Sequence, residues 1–557
     1  MGGRAGIVAR VLLLALLAVS GIGIALQAWS SVTNYRSSFA FDAQLAAGQP
    51  LTNRVVLMVL DGIRVDTVSS MPFLQELAGR GSSGIIRTGV PSLSNPSRTV
   101  LVTGAWQEVH GVTNNARFEP PRVDSLFSIA KRVGMPVALA GGSFWRRAFA
   151  EHLDPQRTRT DRTSPDSIGS TEDLVAWQQQ TCEKDLEFLA QQSAGLLVVG
   201  ITAADTAGHN FGGLSGEYLR TAAAVDGCIA SIAGALDDGA TTLIVTSDHG
   251  HVHFRGHGGH GGLEEEVVNV PLVLAGNAVR PGQGWRGEQV DVAPTICALL
   301  GLPLPSTNQG RVLWQALELT PDAEAAIRAR EAEQRAVAAA HLPDSEKLRG
   351  EEKRSRSLPA LAIFTCLWFA GCGIALSYPG RWLRLLIGVA VYYAVYYALF
   401  FAFGMQYSLS AINKEEYLSW YLGKDLATAS IAFSVGSAFL LRSRIAADSR
   451  MLLDFALLLG STLAIQTTWV YYQHGLFMQS VMLDLRHAFK AYLDLVQMAA
   501  IGAAAPAMAL LTWLVARRPA QTEAREETEI IVVPDRILDP GRSSQPAAPA
   551  DLSIDRD

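Results

Sequence analysis

Apolar residues in this chain are gathered at its two ends. One uncharged run lies within residues 7–29 and a series of others lies beyond residue 357, whereas residues 30–345 have the mixed polarity of a water-soluble domain. The mean hydropathy of +0.19 and the charged share of 18%, against a usual share of about 25%, therefore average two different materials. The net charge is −6 with no dense basic stripe, which argues against nucleic acid as a partner. The cysteines Cys182, Cys228, Cys297, Cys366 and Cys372 include no CxxC pair, so a zinc ribbon and a thioredoxin-like motif are excluded. Cys182 and Cys228 pair if the soluble part faces an oxidising compartment; otherwise they are buried thiols.

Residues 11–29, VLLLALLAVSGIGIALQAW, follow Arg4 and Arg10 and carry no charge. A cleavable signal peptide has an apolar core of about 7–15 residues, so the longer run is expected to be an uncleaved anchor. Five further runs, near 358–378, 385–405, 425–441, 451–472 and 491–516, are close to the roughly 20 residues needed to cross a bilayer. Arginines mark alternate connections: Arg381 and Arg384, then Arg442, Arg444 and Arg450, then Arg517 and Arg518. The positive-inside rule makes these cytoplasmic and puts the soluble domain outside, although Lys347, Arg349, Lys353, Arg354 and Arg356 run against it. The expected layout is an anchor at 1–30, an extracytoplasmic catalytic domain at 31–345, a five-helix transmembrane domain at 346–518 and a disordered cytoplasmic tail at 519–557. The expected location is the plasma (inner) membrane, with the lipid bilayer as partner.

Within the soluble part, short apolar runs alternate with helical patterns: RVVLMVL, a helix around 72–80, PVALA, GLLVVGI, TTLIVTS and VPLVLAG. This predicts an α/β fold with a mostly parallel central sheet and helices on both faces. Ligand sites in such folds lie at the carboxyl ends of the strands. Asp61 follows VVLMVL, Asp205 and His209 follow VVGI, and Asp248 and His249 follow LIVTS, opening a histidine-rich run HGHVHFRGHGGHGG. One such aspartate is usually a helix cap. Together, carboxylate and imidazole are a donor set suited to zinc or a similar divalent ion, and two such sets can clamp displacement at phosphorus.

These residues resemble the alkaline phosphatase superfamily, and most closely its branch of nucleotide pyrophosphatase/phosphodiesterases and glycosylphosphatidylinositol ethanolamine phosphate transferases. The segment PSLSNPSRTVLVTGAWQEVHGVTNN, 91–115, is similar to the family's nucleophile segment, and VPLVLAG with DVAPTICALLGLPLP resembles the end of its domain. The resemblance implies two divalent metal ions, zinc being expected, and Ser94 as nucleophile. It implies that Asp61, Asp248 and His249 hold one ion at Ser94, and that Asp205, His209 and a further histidine hold the second. Asn115 matches the position of an amide set against a non-bridging phosphate oxygen. Counting forward from His249 puts the last histidine on His257, while the longer downstream match puts it on His260. His251 and His253 are expected to be solvated or to support the ligands from behind, His110 to pack, and Ser92 and Ser97 to form turns or caps.

The implied activity is metal-dependent phosphodiester hydrolysis or phosphoryl transfer, on a lipid-linked or other phosphodiester. One rival is a sulfatase, because SNPSRTVLVTG also fits a motif in which Ser94 would become formylglycine. Sulfatases resemble one another in a paired Asp-Asp after the first strand and oxygen ligands, whereas here Asp61 precedes Gly62 and histidines supply nitrogen. A second rival is a non-catalytic transport or binding protein, which would leave ionisable residues in the spans; Asp454 and Asp494 lie near span ends.

Overall fold

The computed structural model describes residues 2–516 apart from 117–118, 162, 255, 343, 378–379, 381, 413–416 and 442–448. Arg381, Arg442, Arg444, Arg517, Arg518 and the tail expected at 519–557 lie outside the described residues. The apolar runs of the soluble part form eight strands: β1 (Arg54–Leu60), β2 (Ser82–Arg87), β3 (Val137–Gly141), β4 (Thr158–Thr160), β5 (Leu196–Ile201), β6 (Thr241–Ser247), β7 (Asn269–Gly276) and β8 (Gly282–Glu288). Their order in one sheet is β4-β3-β5-β1-β6-β7-β2-β8, and β7 alone runs against the rest.

The period-2 geometry of a strand splits β1 between two cores. Val55, Leu57 and Val59 join one cluster with Phe127, Trp145 and Ile296, and Val56, Met58 and Leu60 join the other with Leu174, Tyr218 and Ile229. Both faces are thus covered by helices, the mostly parallel α/β arrangement expected from the strand composition. Cys182 of the Thr171–Ala190 helix and Cys228 of the Gly216–Leu236 helix form a disulfide, which settles the choice left open for these thiols.

Six helices among the described residues are long and apolar enough to cross a membrane, judged by length and composition: Ala5–Thr33, Gly216–Leu236, Ser345–Leu376 in its apolar part, Trp382–Ala402, Arg450–His474 and Leu485–Leu511. Gly216–Leu236 belongs to the soluble domain, where its Tyr218, Val225 and Ile229 are fully buried on the sheet. Leu418–Leu441 takes its place in the bundle, although Lys424 and Asp425 lower its hydropathy. The N-terminal helix packs between Ser449–His474 and Leu485–Ala516. A Cβ on Gly502 would stand 2.6 Å from Leu14 O and one on Gly21 2.8 Å from Leu495 O, so these glycines set how closely the helices approach. Arg10 closes the contact with Asp454 through Nε–Oδ1 (2.7 Å) and Nη2–Oδ2 (2.9 Å).

The soluble domain rests directly on this bundle. Thr113 Oγ1 donates to Val32 O (2.6 Å), Gly262 N donates to Ser410 Oγ (3.0 Å), and Ser410 Oγ donates to Glu264 (2.7 Å).

Candidate active site

Pairing of β1 with β5 and β6 is in register to the last residue, Leu60 lying beside Ile201 and Ser247. The residues that follow therefore emerge at one level of the carboxyl edge. Asp61 N still donates to Ile201 O and Asp248 N to Leu60 O, 2.8 and 3.1 Å. Gly62 then turns with φ +74°, a conformation that favours glycine, and any Cβ there would meet His251 Cδ2 at 2.8 Å. The Ala203–Phe211 helix starts just after β5 and places Asp205 and His209 one turn apart. Ser94 opens the Ser94–Thr103 helix, whose first N–H groups have no partner within the helix.

Two clusters result. In the first, His249 Nδ1 lies 3.1 Å from Gly250 O, which makes Nδ1 the donor and leaves a lone pair on Nε2. That Nε2 stands 3.1 Å from Ser94 Oγ, 3.5 Å from Asp61 Oδ1 and 3.7 Å from Asp248 Oδ1. Asp61 Oδ1 is buried and has no hydrogen-bond partner. In the second, Asp205 Oδ1 meets His251 Nε2 at 2.7 Å and His260 Nε2 at 3.5 Å, while Asp205 Oδ2 lies 3.5 Å from His209 Nε2. His260 Nδ1 is committed to Ser92 O (3.1 Å), so its Nε2 also carries a lone pair into the cluster. The His249 and His260 rings stack at 3.6 Å and join the two clusters.

Lone pairs turned toward lone pairs are unfavourable unless a cation lies among them, so the donor set fits the metal ions implied by the sequence. The groupings Asp61–Asp248–His249 and Asp205–His249–His251–His260 are each compact enough to bind a metal. Burial pushes the pKa of His249, His251 and His260 down, keeping the imidazoles neutral and able to coordinate. Burial pushes Asp61 well up, against the pull of Arg98, and Asp248 up to about 6 for the same reason. For Asp205 the raising effect of burial is outweighed by His209 and by the hydrogen bond from His251, and its carboxyl lies well below the usual range.

His260, not His257, joins Asp205; His257 sits on the outer limb of the loop, bridged to Phe254. His251 is fully buried behind Asp205, whereas His253 is exposed. Asn115 Oδ1 accepts from Asn95 N (2.9 Å), which leaves its Nδ2 donors for the cavity it lines beside Ser94. Ser92 ties Gly261 and Gly262 to the nucleophile loop, in keeping with a turn role. Sequence reasoning missed Arg98. Its Nε donates to Asp248 Oδ2 (2.9 Å) and its Nη2 to Asp61 Oδ2, so both Oδ1 atoms are turned toward His249. It lies four residues after Ser94 on the same helix, but its partners are 37 and 150 residues away and no local spacing points to them.

The clusters open into a cavity of about 1000 Å³. Its polar end holds Ser94, Asn115 and His260; its apolar end is made by Trp29 and Val32 of the N-terminal helix and by Leu418, Leu483 and Phe489 of the bundle.

Residues 55–269 match the sequence model of the family described as Type I phosphodiesterase / nucleotide pyrophosphatase. The resemblance read from the nucleophile and ligand segments is thereby borne out. Among curated relatives, GPI ethanolamine phosphate transferase 1 of Mus musculus is 27% identical over 310 residues, covering 47% of this chain and 32% of the relative. That of Homo sapiens is 28% identical over 309 residues, with the same shares. The chain thus spans about a third of the length of these relatives. Among solved structures, murine ectonucleotide pyrophosphatase / phosphodiesterase 5 aligns with a TM-score of 0.37 at 16% identity, over 45% of this chain and 96% of that one. The matched family and the relatives are phosphoester-acting enzymes.

Proposed function

We propose that this chain is a membrane-bound two-metal phosphodiesterase or phosphotransferase whose nucleophile is Ser94. The observation that carries the reading is His249 Nε2, whose lone pair faces Ser94 Oγ, Asp61 Oδ1 and Asp248 Oδ1 together. Asp61, Asp248, His249 and Ser94 would hold one ion, and Asp205, His209 and His260 the other, zinc being the ion that suits the donors. When bound, such ions lower the pKa of a coordinated hydroxyl and neutralise charge at phosphorus. Ser94 Oγ attacks phosphorus, the bond to the leaving oxygen breaks, and the phosphoryl group passes to Ser94. Water or an acceptor hydroxyl then attacks the same phosphorus and frees Ser94. Asn115 Nδ2 donates to the non-bridging oxygens throughout. Arg98 holds the two carboxylates in register for the ion, and His251 orients Asp205.

The substrate class follows from the cavity. A polar end at Ser94 continuous with an apolar end at Trp29, Leu483 and Phe489 suits a lipid-linked phosphodiester, whose headgroup and chains differ in the same way. The division into an anchor at 1–30, a catalytic domain at 31–345 and a membrane domain at 346–518 belongs to this reading. So does a catalytic domain outside the cytoplasm, which the Cys182–Cys228 disulfide and the arginine pattern support. The expectation of the plasma membrane draws no support from the relatives, and the proposal is for a bilayer without naming which.

Purified full-length protein should cleave a p-nitrophenyl phosphodiester, and both chelation and Ser94→Ala should lower turnover by about four orders of magnitude. Activity retained in the serine variant would remove Ser94 as nucleophile. A sulfatase remains a second reading, because Arg98 of the SNPSR motif contacts both Asp61 and Asp248. Mass spectrometry of the Ser94 peptide separates the two: unmodified serine supports phosphoryl chemistry, and an aldehyde supports the sulfatase.

A further inference from the structure

Outside the catalytic clusters, three donors converge at the connection between the helices Ser449–His474 and Leu485–Ala516. His474 Nδ1 lies 3.2 Å and His487 Nδ1 2.8 Å from the same oxygen, Asp484 Oδ2, and the three ligand atoms fall within 4.8 Å of one another. Both Nδ1 atoms thus approach one carboxylate oxygen; the rings themselves are stacked at 3.8 Å with 4° between their planes, and one of them must tilt for both in-plane lone pairs to meet at a single ion. Asp484 divides its oxygens: Oδ1 caps the following helix by accepting His487 N (3.3 Å), and Oδ2 is left to the imidazoles. His487 Nδ1 is screened from solvent yet makes no hydrogen bond of acceptable geometry, even at 2.8 Å from Oδ2.

Four bonds of about 2.0–2.1 Å at tetrahedral angles put neighbouring donors roughly 3.3 Å apart, close to the separations found here. The side chains keep 30%, 35% and 44% of their exposure at His474, Asp484 and His487, which leaves room for water as a fourth ligand. Nearby Lys353 is drawn off to Gln473 Oε1 (2.6 Å) and the Tyr472 ring, so it does not occupy the site.

The intervening loop, residues 475–484, has a definite task. Leu476 and Leu483 line the apolar end of the cavity, Met478 N donates to Ser31 Oγ of the N-terminal helix (3.0 Å), and Met478 and Leu483 pack on Tyr35. Two of the three donors stand at the ends of the helices that the loop joins, and the third is its last residue. We propose that His474, Asp484 and His487 bind a divalent ion of the zinc class, distinct from the catalytic ions, that staples the base of this loop and fixes the apolar wall of the cavity.

The test uses full-length protein carrying Asp61→Ala and Asp205→Ala, which breaks both catalytic clusters and separates this inference from the functional reading. After loading with Zn²⁺ or Co²⁺ and gel filtration, elemental analysis should find one equivalent retained per chain. Adding His474→Ala and His487→Ala should remove that equivalent. Asp484→Asn should also remove it while keeping the oxygen that caps the helix, which guards against loss of ion through misfolding. In the protein with intact catalytic clusters, Asp484→Asn should lower the ion count by one and accelerate proteolysis within 475–484. The site is refuted if no equivalent survives in the Asp61/Asp205 variant, or if the count is unchanged by Asp484→Asn.

Discussion

Both halves of the molecule bury aspartates, but they treat them differently. In the helical bundle each is matched to a partner. Asp454 is gripped by Arg10, Asp494 by Lys490 (2.6 Å), and Asp425 accepts the Tyr396 hydroxyl (2.6 Å). In the α/β domain Asp61, Asp205 and Asp248 gather beside one cavity, where Arg98 takes one oxygen from each of two, His251 bonds the third, and His249 and His260 present lone pairs. A matched charge holds helices in place, because breaking it leaves an uncompensated ion in a medium that solvates it poorly. Carboxylates gathered with neutral imidazoles hold little by themselves and are arranged for a cation that arrives from outside.

The sharpest way to break this contrast is to neutralise one acid of each kind. Asp61→Asn should lower phosphodiester turnover by about three orders of magnitude and remove one ion, measured by steady-state kinetics and elemental analysis. Its thermal stability without metal should stay level or rise, since the cost of burying that charge, which outweighs the attraction of Arg98, is relieved. A large loss of stability would mean that the acid is structural after all. In the bundle the outcome should invert. Arg10→Met or Asp454→Leu alone should cost about 2 kcal/mol or more in a detergent unfolding assay, and the double variant should recover most of it. Strictly additive losses would show that the pair does not act as a unit.

A smaller effect separates burial from metal chemistry within the α/β domain. His110 is 2% exposed, its Nδ1 accepts Val112 N (3.0 Å), and burial pushes its pKa down to about 3. The unfolded chain, titrating near 6.5, binds the proton more readily than the folded one. The stabilising contribution is therefore complete above about pH 6.5 and is lost as pH falls toward 3, at about 1.4 kcal/mol per pH unit in between. His110→Asn should flatten the stability profile by that slope in apo protein. An unchanged slope would put the acid sensitivity elsewhere.

Much of this arrangement was legible before any coordinates. Strands such as RVVLMVL and TTLIVTS announce themselves because both faces of a central parallel strand are buried, and the acids after them stand where such sheets place ligands. Arg98 was passed over because an arginine inside a helical pattern is ordinarily solvated, and nothing local reveals the two carboxylates waiting for it 37 and 150 residues away. Gly216–Leu236 shows the opposite error that composition invites: it is apolar enough for a membrane and yet packs on the sheet.

By itself, then, the sequence determined the two-material construction, the α/β pattern, and the set of acids, histidines and the serine from which a site is assembled. Periodicity and hydropathy are local properties, and local forces enforce them. Only the tertiary structure decided that His260 and not His257 reaches Asp205, since HGGHGG offers near-equivalent spacings and the course of the loop chooses between them. It also decided that Cys182 meets Cys228, and that the cavity at Ser94 is finished by Trp29 and Phe489 from opposite ends of the chain. Coordination and cavity shape depend on distances across the fold, and those are fixed by how the layers pack.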